Sequence, residues 1–402
     1  MFWEKPLDNA LTRLQKSVNA PVRLVLWDGR EVSFGEKPRV TVRLKGSRGA
    51  SSLVRPSLLT LAEAYIDGEA EIEGDVRDAI RGAEAISRAI PRPLFQSQGP
   101  TNERHSRRDD REAIQHHYDV SNEFYQLWLD PRMVYSCAYF RDETESLEQA
   151  QVQKLDHICR KLRLQKGERL LDIGCGWGAL VMHAAKEYGV VATGITLSEN
   201  QQRLAQERIV EAGLQDRCRV LLQDYRDMPG EGVFDKVASV GMFEHVGLRN
   251  LPVYFNTVRR LLKEKGLFLN HGITSSDTNN RAVGLGAGEF IGRYVFPKGE
   301  LPHLHREIHD MSEQDFEVHD VESLRPHYAR TLDLWSAEFE KHLAQAVQAS
   351  SERTARIWRL YLAGCAYAFE QGWISIYQVL ATRRTKPGRT ALPLTRDWMY
   401  NA

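Results

Sequence analysis

Between residues 169 and 270 the chain repeats one pattern, a short apolar run followed by a turn or a helix-like stretch. The runs are 169–173, 190–195, 219–222, 234–240 and 267–270, and residues 179–188 and 200–212 between them read as helices. Strands that are short and almost wholly apolar bury both faces, and strands joined through helices run parallel. The expected fold class is therefore α/β, with a mostly parallel sheet covered by helices on both sides.

The first run ends in Leu170-Leu171-Asp172-Ile173-Gly174-Cys175-Gly176-Trp177-Gly178, and a helix follows. Glycines at a strand end let the backbone turn tightly and approach a ligand without a Cβ in the way. The spacing is G-x-G-x-G rather than the G-x-G-x-x-G of pyrophosphate loops, and no GK[ST] is present. Asp172 would repel a polyphosphate and suits a ligand carrying an ammonium and a sulfonium.

Around this core, residues 1–95 read as a small α+β domain, 96–111 as a linker rich in proline and charge, and 112–402 as the main domain. Two long helices are expected within 334–382. The chain carries 54 Lys+Arg against 54 Asp+Glu, which argues against a general nucleic-acid binder. That balance is uneven locally. Residues 1–60 hold eleven cations and five anions, whereas 61–90 hold three and eight. The basic segment, or Arg104–Arg111, is a candidate for contact with anionic lipid. Five cysteines without a CxxC pair exclude a zinc ribbon or disulfide framework, and the odd number fits a reducing compartment. Neither a signal peptide nor a membrane-length apolar run is expected. His303, His305 and His309 sit at metal-like spacing but lack a defined further ligand, so no metal is expected.

The motifs, taken in order, resemble the cyclopropane-fatty-acyl-phospholipid synthase family of class I S-adenosylmethionine-dependent lipid methyltransferases. They are HYDVSN at 117–122, YSCAYF at 135–140, GCGWG at 174–178, TLSENQ at 196–201, QDYRD at 223–227, FEHVG at 243–247, NHGI at 270–273, FPKGELP at 296–302, RPHY at 325–328 and GCAYAF at 364–369. The likeness spans nearly the whole chain. It implies a Rossmann-like methyltransferase sheet with helical additions, preceded by the extra domain of the bacterial phospholipid enzymes.

The resemblance places S-adenosylmethionine against Tyr135, Ser136, Leu170, Asp172, Gly174, Gly176, Trp177, Gly178, Thr196, Leu197, Ser198, Gln201, Asp224 and Tyr225. Thr196 stands where most class I enzymes have an acidic residue for the ribose, and hydroxyl and amide groups serve that purpose here. The implied reaction is attack of a cis double bond on the sulfonium methyl, then proton removal to close a cyclopropane ring. The implied base is bicarbonate, held by Cys137, Glu244, His271, Ile273 and Tyr328. Cys365 matches a family cysteine, although alkene alkylation gives a nucleophilic thiol no task. Phe140, Phe290, Tyr294 and Phe296 are candidates for lining an acyl tunnel.

The expected setting is cytoplasmic, at the inner membrane face, acting on unsaturated phospholipids as a homodimer. Competing readings are a related enzyme leaving a methyl or methylene branch, a small-amine N-methyltransferase, a nicotinamide oxidoreductase, and a non-catalytic lipid-binding scaffold.

Overall fold

The computed structural model describes residues 4–91, 93–96, 120–297, 299–385, 390 and 392–400. Its contacts divide the chain into two units, one of residues 1–100, 281–297 and 332–371, the other of 101–280, 298–331 and 372–402. Most of the expected linker, with Arg104, Arg107 and Arg108, lies outside the described residues, as do His116, His117 and Lys298. Segments 281–297 and 332–371, read from sequence with the main domain, group with the amino-terminal residues.

In the first unit, β1 (Val22–Val25), β2 (Glu31–Ser33), β3 (Val40–Leu44) and β4 (Ala70–Glu73) form a sheet in the order β2-β1-β3-β4. A two-stranded pairing joins β5 (Phe95–Gln96) to β11 (Ala282–Val283). Helix Leu58–Ile66 starts in a reciprocal capping box, Ser57 with Thr60. The antiparallel pairing of β3 with β4 brings the basic and acidic stretches together. Arg43 meets Glu73 at 3.0 Å, Lys45 meets Glu71 at 2.7 Å, and Arg39 meets Asp78 at 2.8 Å. Charge segregated along the sequence is thus partly neutralised by folding.

Helix Glu352–Glu370 buries two of its three arginines in this unit. Arg356 donates to Tyr65 O and Glu71 Oε1, both at 2.7 Å. Arg359 grips Glu340 at 2.6 and 2.9 Å and reaches Tyr65 Oη at 2.9 Å. These pairings explain how charges interrupting an apolar helix are buried.

The second unit holds a seven-stranded sheet. Its strands are β6 (Arg169–Ile173), β7 (Val191–Thr196), β8 (Cys218–Leu222), β9 (Phe234–Val240), β10 (Leu262–Ser275), β12 (Phe316–Ser323) and β13 (Ile374–Arg383), in the order β12-β13-β10-β9-β6-β7-β8. Strands β6 to β10 pair in parallel, and β13 runs antiparallel between β10 and β12. One apolar cluster gathers Ile158, Val181, Leu170 and Ala205, and another gathers Leu171, Phe234, Tyr254 and Phe268.

One expectation fails here. The apolar pattern predicts helix through residues 374–382, yet the helix ends at Glu370 and 374–383 form β13. The run ISIYQVLATR is buried on almost every residue, so it has no alternation to mark it as a strand. The local pattern does not predict β12 either.

Candidate active site

A cavity opens at the carboxyl ends of β6, β7 and β9. The chain leaves β6 toward β7 on one side and returns to β9 on the other. Open α/β sheets leave a crevice at such a reversal, because the connections diverge to opposite faces.

Of the residues assigned to the cofactor from sequence, Tyr135, Ser136, Asp172, Gly174, Gly176, Trp177, Thr196, Leu197, Gln201, Asp224 and Tyr225 line this cavity. Three others serve the fold. Leu170 is buried in the core, Gly178 packs against Ala205 as a helix begins, and the Ser198 hydroxyl caps helix Glu199–Glu211 by accepting from Gln201 N at 3.3 Å. The Thr196 hydroxyl donates to Gln201 Oε1 at 2.8 Å, which leaves the Gln201 amide nitrogen as a donor. Asp224 is paired with Arg226 at 2.6 Å.

The glycine loop shows why glycine is needed. Gly174 has φ +79°, and a Cβ there would lie 2.7 Å from the Met242 side chain. Gly176 has φ +54°, and a Cβ there would point into open space. Its bare backbone forms a cradle that a ligand can approach. Asp172 is buried with Oδ1 unpartnered, and burial raises its pKa to about 7 against the opposing pull of Lys154. An open glycine cradle beside an unsatisfied buried carboxyl fits S-adenosylmethionine, whose ammonium and sulfonium supply positive charge.

The wall segment Val134–Ala138 is held by polar side chains on helix Leu147–Lys161. Gln151 Nε2 donates to Ser136 O at 2.9 Å and Val134 O at 3.3 Å, and Lys154 Nζ donates to Ser136 Oγ at 2.7 Å. The His157 ring stacks on Tyr139 at 4.3 Å and bonds Glu322 at 2.7 Å, while Lys161 meets Glu322 at 2.6 Å. Sequence reasoning missed this face. The signal was present in Gln151, Lys154, His157 and Lys161, which recur at helical spacing among apolar residues.

A second polar cluster lies where β9 and β10 end. The Ile273 N–H donates to Glu244 Oε1 at 2.6 Å, while Glu244 Oε2 is buried without a partner. Burial raises Glu244 to about pKa 7, opposed by that N–H. On the same strand, His271 is fully buried, and its Nδ1 accepts from Gln378 Nε2 at 3.1 Å. The ring proton therefore sits on Nε2, which has no partner. Burial, with Lys154 and Lys161, holds His271 well below its usual pKa, so the ring is neutral.

Cys137 is buried, with Sγ 3.8 Å from Leu324 O, and burial pushes its thiol far up, against reactivity. Tyr328 is buried on the helix that begins at Arg325. Glu307, also missed from sequence, is buried, accepts from Asn270 Nδ2 at 2.8 Å and leaves Oε2 unpartnered.

The remaining candidates are spread differently. Phe140 belongs to the second unit, with the Arg330 guanidinium 4.8 Å from its ring centre. Phe290, Tyr294 and Phe296 belong to the first unit, where the Tyr294 hydroxyl bonds Glu63 at 3.0 Å and Phe296 meets Tyr361 edge-on. Cys365 also belongs to the first unit, its thiol pushed up to about 12 by burial. His303 faces His305 at 2.8 Å, and His309 pairs with Asp310. Among the described residues no group of three or more His, Cys, Asp or Glu is arranged to hold a metal.

Comparison with known proteins places this geometry. Residues 105–379 match the family model for mycolic acid cyclopropane synthetase, and residues 11–89 match a domain of unknown function (DUF7884). A Pseudomonas putida protein named "Probable fatty acid methyltransferase" is 50% identical over 388 residues, covering 96% of this chain and 98% of its own. The cyclopropane-fatty-acyl-phospholipid synthase of Escherichia coli K12 is 43% identical over 272 residues, 68% of each chain. The crystal structure of mycolic acid cyclopropane synthase CmaA1 complexed with SAH and CTAB superposes with TM-score 0.64 at 37% identity, covering 68% of this chain and 98% of that one. The sheet, its cavity and these matches agree, and the chain belongs to the mycolic acid cyclopropane synthetase family of S-adenosylmethionine-dependent methyltransferases.

Proposed function

We propose that the enzyme adds a one-carbon bridge across a cis double bond in a phospholipid acyl chain, giving a cyclopropane. The observation that carries this reading is two unpartnered buried atoms, His271 Nε2 on β10 and Glu244 Oε2, the latter on a carboxyl that reaches from the turn after β9 to the Ile273 N–H, two residues along β10 from His271. Ring closure, unlike simple alkylation, requires a proton to be removed in a water-poor site. A neutral imidazole and a carboxyl poised near pKa 7 suit that task.

When bound, S-adenosylmethionine supplies an electrophilic methyl. The glycine loop and the Val134–Ala138 wall orient it, and Asp172 supplies negative charge on that side. Bicarbonate fits the Glu244–His271 pair in kind, since it can accept from Nε2–H and donate to a carboxylate, and when bound it would supply the base. His271, Glu244, Cys137 and Tyr328 would hold it. The Ile273 N–H is already engaged by Glu244 Oε1, so its share would be indirect.

A second reading has its own support, because the relative covering 96% of this chain is named a fatty acid methyltransferase. There the chain would be methyl- or methylene-branched. In either case the substrate class brings the enzyme to a membrane surface. Among the described residues no helix is long and apolar enough to cross one. The family likeness also supports a homodimer at the cytoplasmic face.

The test is to incubate the enzyme with S-adenosylmethionine and vesicles of a cis-monounsaturated phospholipid, then examine the acyl chains by mass spectrometry and proton NMR. Gain of one CH₂ with upfield ring protons supports the proposal. A branched chain favours the second reading, and labelling of small amines alone overturns both.

A further inference from the structure

Two buried ionisable groups of opposite sign face the cofactor cavity without forming a closed pair. Lys154 is 2% exposed and donates to the Ser136 hydroxyl at 2.7 Å. Asp172, also 2% exposed, leaves Oδ1 unpartnered. The other charged pair lining the cavity, Asp224 and Arg226, is mutually neutralised at 2.6 Å. Besides the His245 imidazole, which also lines the cavity, its local balance therefore depends on which of Lys154 and Asp172 holds a proton.

We propose that Lys154 makes this cavity distinguish the sulfonium cofactor from its thioether product by charge, giving up its proton when the cation binds. The inference rests on the cavity being the S-adenosylmethionine site. The two ligands share adenosine and the amino-acid portion, and differ by one methyl group and one positive charge at sulfur. A cation entering a low-dielectric cavity is stabilised by Asp172 in its carboxylate form and destabilised by an ammonium on Lys154. The favourable state is a carboxylate with a neutral amine, reached by release of one proton to solvent. The neutral thioether has no such demand.

The surroundings of Lys154 allow this. Burial lowers it to about 8, against the pull of Cys137, Asp130 and Asp172, so little work is needed to deprotonate it near neutrality. Asp130 lies in the turn before the wall, where its oxygens accept from Arg132 N and Val134 N. The Cys137 thiol is held neutral by burial, and His271 on β10, which also senses Lys154, is neutral. Of the carboxyls that act on Lys154, Asp130 and Asp172, it is Asp172 that lines the cavity and meets the cation with it.

The sign follows directly. A neutral Lys154 favours the sulfonium, so S-adenosylmethionine should bind more tightly as pH rises through about 8, while S-adenosylhomocysteine should change less. The α-amino group common to both ligands titrates at about pH 8 as well, so a variant lacking the Lys154 amine is the reference.

Titration calorimetry of the full-length protein in two buffers of different ionisation enthalpy counts the protons released. Wild type should release roughly one proton more with S-adenosylmethionine than with S-adenosylhomocysteine near pH 7. The ratio of the two affinities should rise severalfold between about pH 7 and 9. In Lys154→Met the part of both effects that follows the amine through about pH 8 should fall away, leaving only the proton released by Asp172, which titrates at about 7 in wild type. Lys154→Arg, which cannot deprotonate in this range, should bind the sulfonium more weakly at every pH. Equal proton release for the two ligands in wild type overturns the proposal and needs no variant to fold. Failure of wild type to bind either ligand overturns the cofactor assignment instead.

Discussion

The Ile273 N–H and the Glu244 carboxyl form a 2.6 Å hydrogen bond that holds one carboxyl oxygen and leaves the other buried without a partner. The same strand carries His271, whose tautomer is set by Gln378 across the β10–β13 pairing. A fixed carboxyl and a fixed neutral imidazole are thereby presented by two adjoining strand ends.

Glu244→Gln should keep the cofactor affinity and lower kcat by about 10²–10⁴-fold, the usual range for loss of a proton-transfer group. The wild-type rate should rise with pH through about 7 as Glu244 ionises, and the variant should lose that limb. Equal losses in kcat and in cofactor affinity, measured by calorimetry, would mark the residue as structural.

The two loop glycines separate folding from binding. Gly174→Ala combines positive φ with a 2.7 Å clash against Met242 and should destabilise the protein. Gly176→Ala meets open space, so its cost should be the backbone term alone, about 1–2 kcal/mol. Its cofactor Kd should nonetheless rise, because the added methyl occupies the cradle. Thermal melts with and without S-adenosylmethionine distinguish the two, and a Gly176→Ala variant with unaltered affinity would place the ligand elsewhere.

Glu307 gives a pH-dependent stability. Burial, with repulsion from Glu244, raises it to about 8 although Asn270 donates to it. A carboxyl whose folded pKa is raised stabilises fully below its unfolded value, and that contribution is lost as pH rises through the folded one. Wild type should lose stability relative to Glu307→Gln between about pH 5 and 8, by on the order of 1.4 kcal/mol for every tenfold weakening of the acid on folding. Urea unfolding at both ends of this range checks it. Parallel curves would show that Glu307 does not ionise there.

Cys365→Ala should retain near-wild-type turnover. Its thiol is pushed up to about 12 by burial, and alkene alkylation needs no thiolate. A large fall in kcat with an unchanged melting temperature would restore a chemical role to this cysteine.

Much of the parallel sheet was legible because each strand is a short apolar run punctuated by glycine or polar turns. β6, with Asp172 at its end and the glycines after it, shows this most clearly. β13 was illegible because burial on both faces erases the strand period and a helix lies just before it. At the cavity, hydroxyls and glycines declared themselves by motif. Lys154 and Glu307 did not, since a charged residue on a helix reads as solvent-facing until the fold buries it. Cross-strand pairing was equally hidden, so the meeting of Arg43 with Glu73 was absent from any local charge count.

Removal of a proton from the transferred carbon is the step that separates ring formation from simple alkylation at this site. The most direct measurement uses S-adenosylmethionine with a fully deuterated methyl group, an unsaturated phospholipid substrate, and mass spectrometry of the product chain. Loss of one deuterium from the transferred carbon, accompanied by cyclopropane resonances in the NMR spectrum of the unlabelled product, is the predicted result. Retention of every deuterium in a methyl branch would contradict it.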